Sequence, residues 1–243
     1  MKLSDNTILI TGGASGIGLA FANLLHDNNK IIVCGRDKAR LEKLKNRLPE
    51  IATYQCDLAN EADLSRFADT VLANHPSLNM LINNAGIQYN YLFTEEQPHA
   101  GFVTEEVRVN LLAPIQLTER LLPNLMRQDD AAVVNITSAL AIAPKKCAAV
   151  YSATKSAMRS FTQALRYQLE GSHVAVFELV PPLVDTDMTT GRGDGKITPQ
   201  ALASEALKAI ASDKHDVLIG KTKILYLLYR LLPSAAYRLL KNS

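Results

Sequence analysis

The sequence predicts an α/β fold, a three-layer, doubly wound parallel sheet of about seven strands in a single domain, and three observations carry that expectation. Short β-rich apolar runs recur along the chain, each followed by a longer amphipathic stretch, the alternation of βαβ units. The runs are apolar at nearly every position instead of alternating, so both faces must be covered, as in a parallel sheet between helices. A glycine-rich turn follows the first run directly and opens a helix.

In chain order the runs are residues 7–11, 30–34, 52–56, 80–83, 132–136, 174–180 and 217–219. Between them, Leu41, Leu44 and Leu48 fall at helical spacing in a charged stretch, and Leu64, Phe67, Ala68, Val71 and Leu72 do the same in the next. No low-complexity tract, solenoid-period repeat or long linker divides the chain, so one domain is expected over residues 1–243, with 222–243 as an apolar helical extension. Residues 191–195 form the clearest flexible segment.

Composition narrows the function classes. The 243 residues are 47% hydrophobic, enough for one continuous core. Lys and Arg number 26 against 24 Asp and Glu, interspersed, and this near-neutral balance argues against a nucleic-acid partner. Cys34, Cys56 and Cys147 lack CxxC spacing and companion histidines, so neither disulfide nor metal site is expected. The first residues carry no apolar segment with a small-residue cleavage site, and a cytoplasmic location is expected.

The turn after the first strand reads Thr11-Gly12-Gly13-Ala14-Ser15-Gly16-Ile17-Gly18. Its glycines let the backbone bend sharply and approach a pyrophosphate, while free N–H groups and the positive end of the following helix attract negative charge. Further landmarks follow in order: Asn83, Asn84, Ala85 and Gly86 after the fourth strand, Asn110 in the next helix, Ser138 after the fifth strand, and Tyr151-x-x-x-Lys155 opening the next long helix. Together they resemble the short-chain dehydrogenase/reductase family over nearly the whole chain. The resemblance implies a Rossmann fold and a nicotinamide dinucleotide cofactor. Within the family, the Pro181-Pro182-Leu183-Val184-Asp185-Thr186 stretch is similar to that of bacterial reductases named with the D-alanyl-lipoteichoic acid operon.

The choice of nucleotide is read at the end of the second strand, where an NAD-binding protein places an acid for the ribose hydroxyls. Here Gly35 stands where NAD-binding members of the family usually carry Asp. Arg36 follows and can pair with a 2′-phosphate through its planar fork. NADP(H) is therefore preferred, with Arg40 as a further contributor; Asp37 reaching the ribose, and NAD(H), remain the alternative. The resemblance places Asp57 and Leu58 at the adenine edge, where a plain helix N-cap is the competing role for Asp57. It also places Asn84, Ala85 and Gly86 along the cofactor, with Gly12, Ser15, Gly16, Ile17 and Gly18 beneath the pyrophosphate. Pro181, Val184 and Thr186 would hold the nicotinamide carboxamide, with Pro182 replacing the family's usual glycine.

Carbonyl reduction needs a hydride at carbon and a proton at oxygen. Tyr151 is the expected acid/base, and Lys155, four residues on along a helix, would share its face, lower the phenol pKa and contact the nicotinamide ribose. Ser138 would stabilise negative charge on the substrate oxygen. The resemblance gives Asn110 a water that connects Lys155 to solvent, and it implies a homodimer or homotetramer through the helices at 111–126 and 151–170.

Beyond Thr186, residues 187–197 read as a short, mobile substrate lid. The leucines and tyrosines of 222–243, interrupted by Arg230, Arg238 and Lys241, are read either as packing over the substrate opening or a subunit, or as a peripheral membrane contact. The expected substrate is a hydrophobic carbonyl or alcohol. The rival is a catalytically idle dinucleotide sensor.

Overall fold

A computed structural model describes residues 1–96 and 100–242. Among these residues seven strands, β1 (Thr7–Thr11), β2 (Lys30–Gly35), β3 (Ala52–Gln55), β4 (Met80–Asn83), β5 (Ala131–Ile136), β6 (Val174–Val180) and β7 (Asp216–Leu218), form one parallel sheet in the order β3-β2-β1-β4-β5-β6-β7. The helices are α1 (Gly16–Leu25), α2 (Lys38–Arg47), α3 (Glu61–Asn74), α4 (Ala100–Val107), α5 (Ala113–Leu125), α6 (Ala149–Gln168), α7 (Pro199–Ala211), α8 (Thr222–Leu231) and α9 (Pro233–Leu240).

The period of two along each strand splits the core into two layers. Ile8, Ile10, Ile31, Val33 and Phe177 pack on the side of α1, α2 and α7, while Leu9, Ile32, Leu81 and Val133 pack against α3, α5 and α6. Both layers are predominantly apolar, which explains why the strand sequences show no polar alternation. From β1 the chain winds outward through β2 and β3, then returns to β4 on the other side. That reversal opens a crevice at the carboxyl ends of β1 and β4.

The strand bounds differ from expectation by single residues, and β7 is the instructive case. Asp216 pairs with Glu178, Val217 with Leu179 and Leu218 with Val180. This edge strand therefore begins on a polar residue that apolar counting passes over. Asn110 is also placed differently: it lies in a single π-helical turn, Arg108–Leu112, between α4 and α5, a distortion frequent at functional sites.

Asn84 ties the glycine turn to β4, its Nδ2 donating to the Thr11 and Gly12 carbonyls at 2.8 and 3.3 Å. A Cβ at Gly18 would lie 2.5 Å from that Nδ2 and 2.6 Å from the Gly12 carbonyl oxygen. Gly18→Ala is accordingly expected to destabilise the fold by about 1–3 kcal/mol through overpacking. Urea denaturation measures this, and a variant as stable as wild type would refute the tight approach.

Candidate active site

A cavity of about 760 Å³ runs along the carboxyl ends of the strands. One end is lined by Gly35, Arg36, Asp37, Arg40, Asp57 and Leu58, and the middle by Gly12, Ser15, Gly16, Ile17, Asn84, Ala85 and Gly86. The other end is lined by Ser138, Tyr151, Lys155, Pro181, Val184 and Thr186. The structure thus brings the residues singled out in the sequence to one crevice, except Asn83, which is buried in β4 against Asn135 and Thr118, and two others. Gly18 lies behind the turn, acting by the absence of a side chain, and Asn110 sits one layer back.

At the far end, Ser138 starts a 3₁₀ turn, its Oγ accepting from the Leu140 N–H at 3.1 Å. The Ser138 hydroxyl lies beside the Tyr151 phenol, and Tyr151 is buried. Burial pushes that phenol up to about 12; the Ser138 hydroxyl and the Arg192 charge oppose the shift, and Glu106 adds to it. The Lys155 ammonium is pulled down to about 8 by burial. Its Nζ donates to the Ile136 carbonyl at 2.8 Å and stands 5.7 Å from the Tyr151 ring centroid. Burial outweighs neighbouring charge at both groups, so the phenol lies above its ordinary value instead of below it as the sequence led us to expect, and the Lys155 ammonium is held by a backbone carbonyl.

Asn110 is clamped in place. Its Oδ1 accepts from the Ile87 N–H and its Nδ2 donates to the Ile87 carbonyl, each at 2.8 Å. A Cβ at Gly86 would lie 3.3 Å from Asn110 Oδ1 and 3.7 Å from Lys155 Nζ, so Gly86 leaves these two groups room to share one small space.

At the near end, Arg36 pairs with Glu105 at 2.9 Å, while Arg40 pairs with Asp37 at 3.2 Å and Asp187 at 2.8 Å. The Asp37 carboxylate also caps α2 through the Arg40 N–H, so it is engaged twice. The N-cap role weighed for Asp57 falls to Asn60, which accepts from the Asp63 N–H at 3.1 Å. Asp57 instead accepts from the Ala59 N–H.

Residues 187–197, read from the sequence as a mobile lid, touch the body at several points. Asp187–Thr189 form a 3₁₀ turn, Val184 bridges Ile197, and Arg192 Nη2 donates to the Gln88 carbonyl at 3.3 Å. Pro182 stays in the cavity wall, 3.7 Å from where a Cβ on Gly220 would be, and the Pro181 carbonyl accepts from the Ala139 N–H. Sequence reasoning missed Arg192, Lys145 and Leu240 as lining residues, and Glu106 as a fully buried carboxyl whose Oε1 accepts from the Tyr89 N–H. Glu105-Glu106 looks like a solvated pair in the sequence; only the helical offset of four from Asn110 hints that Glu106 turns inward.

The residues present fit a nicotinamide dinucleotide. Ser15 makes no side-chain cap to α1, so the first N–H groups of that helix face the cavity middle without a side-chain acceptor. Gly12 and Gly16 have φ of +64° and +52°, and Gly16 abuts Thr186, where a Cβ would lie 3.2 Å from its methyl. Among the described residues no cluster of His, Cys, Asp and Glu is arranged to hold a metal.

Comparisons with known proteins agree with this layout. The short chain dehydrogenase family matches residues 6–196. A relative named Uncharacterized oxidoreductase DltE, from Bacillus subtilis (strain 168), is 42% identical over 207 residues, covering 84% of this chain and 82% of the relative. A short chain dehydrogenase from Burkholderia cenocepacia J2315 in complex with NADP superposes with a TM-score of 0.87 at 22% identity, over 100% of both chains. One from Burkholderia phymatum in complex with NAD gives 0.86 at 22% identity, over 100% of this chain and 97% of that one. Fold and family together define an NAD(P)-dependent dehydrogenase/reductase. The chain belongs to the short chain dehydrogenase family.

Proposed function

We propose that the protein is an NADP(H)-dependent oxidoreductase interconverting a hydrophobic carbonyl compound and its alcohol, with Tyr151 as acid/base. The observation that carries this reading is the convergence of the Ser138 hydroxyl, the Tyr151 phenol and the Lys155 ammonium at one end of the dinucleotide-sized cavity. When bound, the cofactor supplies or accepts the hydride. Pro181, Val184 and Thr186 would hold its carboxamide end, and Asp57, Leu58, Asn84, Ala85 and Gly86 would border the rest. The N–H groups after Ser15, with Gly12, Gly16 and Ile17, would cradle the pyrophosphate, and Gly18 would keep the turn close-packed behind it.

Ser138 and Tyr151 then orient the substrate oxygen between two hydroxyl groups. Tyr151, held protonated by burial, donates its proton as charge develops on that oxygen. Lys155 stabilises the phenolate left behind and returns a proton through a water positioned by Asn110. Ile87, Leu140, Leu183, Met188 and Leu240 line the cavity and support a hydrophobic substrate. Exposed Leu112, Met126 and Tyr167, on or beside the helices that family resemblance assigns to subunit contacts, support a homodimer or homotetramer.

Cofactor preference rests on Arg36 and Arg40 at the cavity end and on the absence of an acid at Gly35. A 2′-phosphate would take Arg36 from Glu105, trading an exposed ion pair for a charge-assisted one. NADPH is expected to bind at least about tenfold tighter than NADH, and Arg36→Ala to erase most of the difference. Thermal shifts at equal cofactor concentration read this directly; a larger shift with NADH would reverse the assignment. The activity itself is tested by NADPH consumption across ketones, aldehydes and quinones. Tight cofactor binding with no turnover of any of them would favour the sensor.

A further inference from the structure

The C-terminal helices leave one face uncovered. In α8, Thr222 and Leu225 point inward, while Ile224, Leu227 and Leu231 form a stripe 70%, 59% and 70% exposed. Leu232, between α8 and α9, and Leu239, on α9, are each 61% exposed. Pro233 therefore does not end the helical tail. It starts α9, so that two short helices each bury one side and present apolar groups on the other.

Residues 217–242 contain Lys221, Lys223, Arg230, Arg238 and Lys241 and no Asp or Glu, and of these cations Lys223 pairs with Glu205 of α7 at 2.6 Å. Apolar surface this concentrated on a chain marks an interaction site, and charge selects the partner. An isologous contact with a second copy would set these cations against their own duplicates. We propose that this face docks on a membrane surface bearing anionic lipid headgroups, with the leucines at the acyl boundary and the cations among the phosphates. The geometry is that of a surface contact: no helix among the described residues is long and apolar enough to cross a membrane.

The end of α9 reaches the cavity. Leu225 and Ala236 pack with Ile142, Ala143 and Val180, the Lys146 N–H donates to the Lys241 carbonyl at 2.9 Å, and Leu240 lines the cavity itself. Docking therefore sets the substrate end of the crevice beside the lipid, where a lipophilic carbonyl compound partitions. The identity of that cargo rests on the function proposed above; the docking surface does not.

The test is co-sedimentation of the full chain with vesicles of phosphatidylcholine alone or mixed with phosphatidylglycerol, at low and high salt. The protein is expected to pellet with the anionic vesicles, weakly with the neutral ones, and less at high salt, each cation contributing about fivefold to partitioning. Leu227→Glu/Leu231→Glu is expected to weaken binding at least about tenfold, with cofactor thermal shift and soluble-ketone turnover unchanged. Should that variant misfold, Arg230→Glu/Arg238→Glu must still remove the salt-sensitive part. The proposal is overturned if wild type stays in the supernatant with both vesicles, or if the glutamate variant of the leucines binds as well as wild type. It is equally overturned if sizing shows an oligomer that this variant dissociates while vesicles bind neither form. Vesicle binding without any carbonyl turnover keeps the docking surface and removes the proposed activity.

Discussion

Tyr151→Phe is expected to lower carbonyl reduction by roughly 100- to 10 000-fold, the usual worth of a positioned general acid, while leaving NADPH affinity nearly unchanged. The phenol proton is the one the substrate oxygen must receive, and the buried ring itself is kept by phenylalanine. Because burial holds the phenol up at about 12, wild type carries its proton throughout the neutral range, which suits the reductive direction. Steady-state rates with a soluble ketone, together with cofactor titration of the variant, separate the two effects. A variant that reduces ketones at near wild-type rate would move the acid to another group.

Lys155 gives the second large effect, and it has two opposite parts. In the folded chain its ammonium titrates at about 8, against 10.5 for the free side chain. Between those values the unfolded chain binds more protons than the folded one, so the stability contribution rises with pH from about 8 to 10.5. Below pH 8 the full cost of burying the charge is present, about 3 kcal/mol at 1.36 kcal/mol per unit. Lys155→Met removes that cost and loses the bond to the Ile136 carbonyl, worth about 1 kcal/mol. At pH 6 the variant without cofactor is expected to be about 2 kcal/mol more stable than wild type, with the gain shrinking toward pH 10. Reduction should collapse in the same variant, and in wild type it should decline as pH rises through 8, when the ammonium deprotonates. Urea denaturation at pH 6, 8 and 10 checks the first part and a pH–rate profile the second; a variant less stable than wild type at pH 6 would contradict the burial argument. A group that destabilises the free protein this way is of the kind active sites retain for function.

The legibility of this fold in its sequence followed burial. Strands such as Leu81 and Val133 lie in the sheet interior, and their unbroken apolar runs announced themselves, whereas β7 lies at the edge and opens on exposed Asp216. The glycine turn, Ser138, Tyr151 and Lys155 were legible because their chemistry demands particular residue types at short spacings. What stayed hidden depends on contacts between distant parts of the chain. Arg36 meets Glu105 across 69 residues. Glu106 acts on Tyr151 only once α4 and α6 are packed, and Leu240 reaches the cavity only because α9 folds back over residues 139–146. The direction of the phenol pKa is hidden for a related reason: helical spacing gives the Lys155 neighbour but not the depth of burial, which outweighs it.

The central claim is hydride transfer at a carbonyl held by Ser138 and Tyr151, and isotope transfer tests it most directly. NADPH carrying deuterium at both C4 positions is incubated with the protein and a panel of ketones and aldehydes, and the products are weighed by mass spectrometry. The expected result is an alcohol bearing one deuterium on its carbinol carbon, formed by wild type and lost with Tyr151→Phe. Tight NADPH binding with no deuterated alcohol from any substrate, or the same deuterated product at the same rate from both proteins, would contradict it.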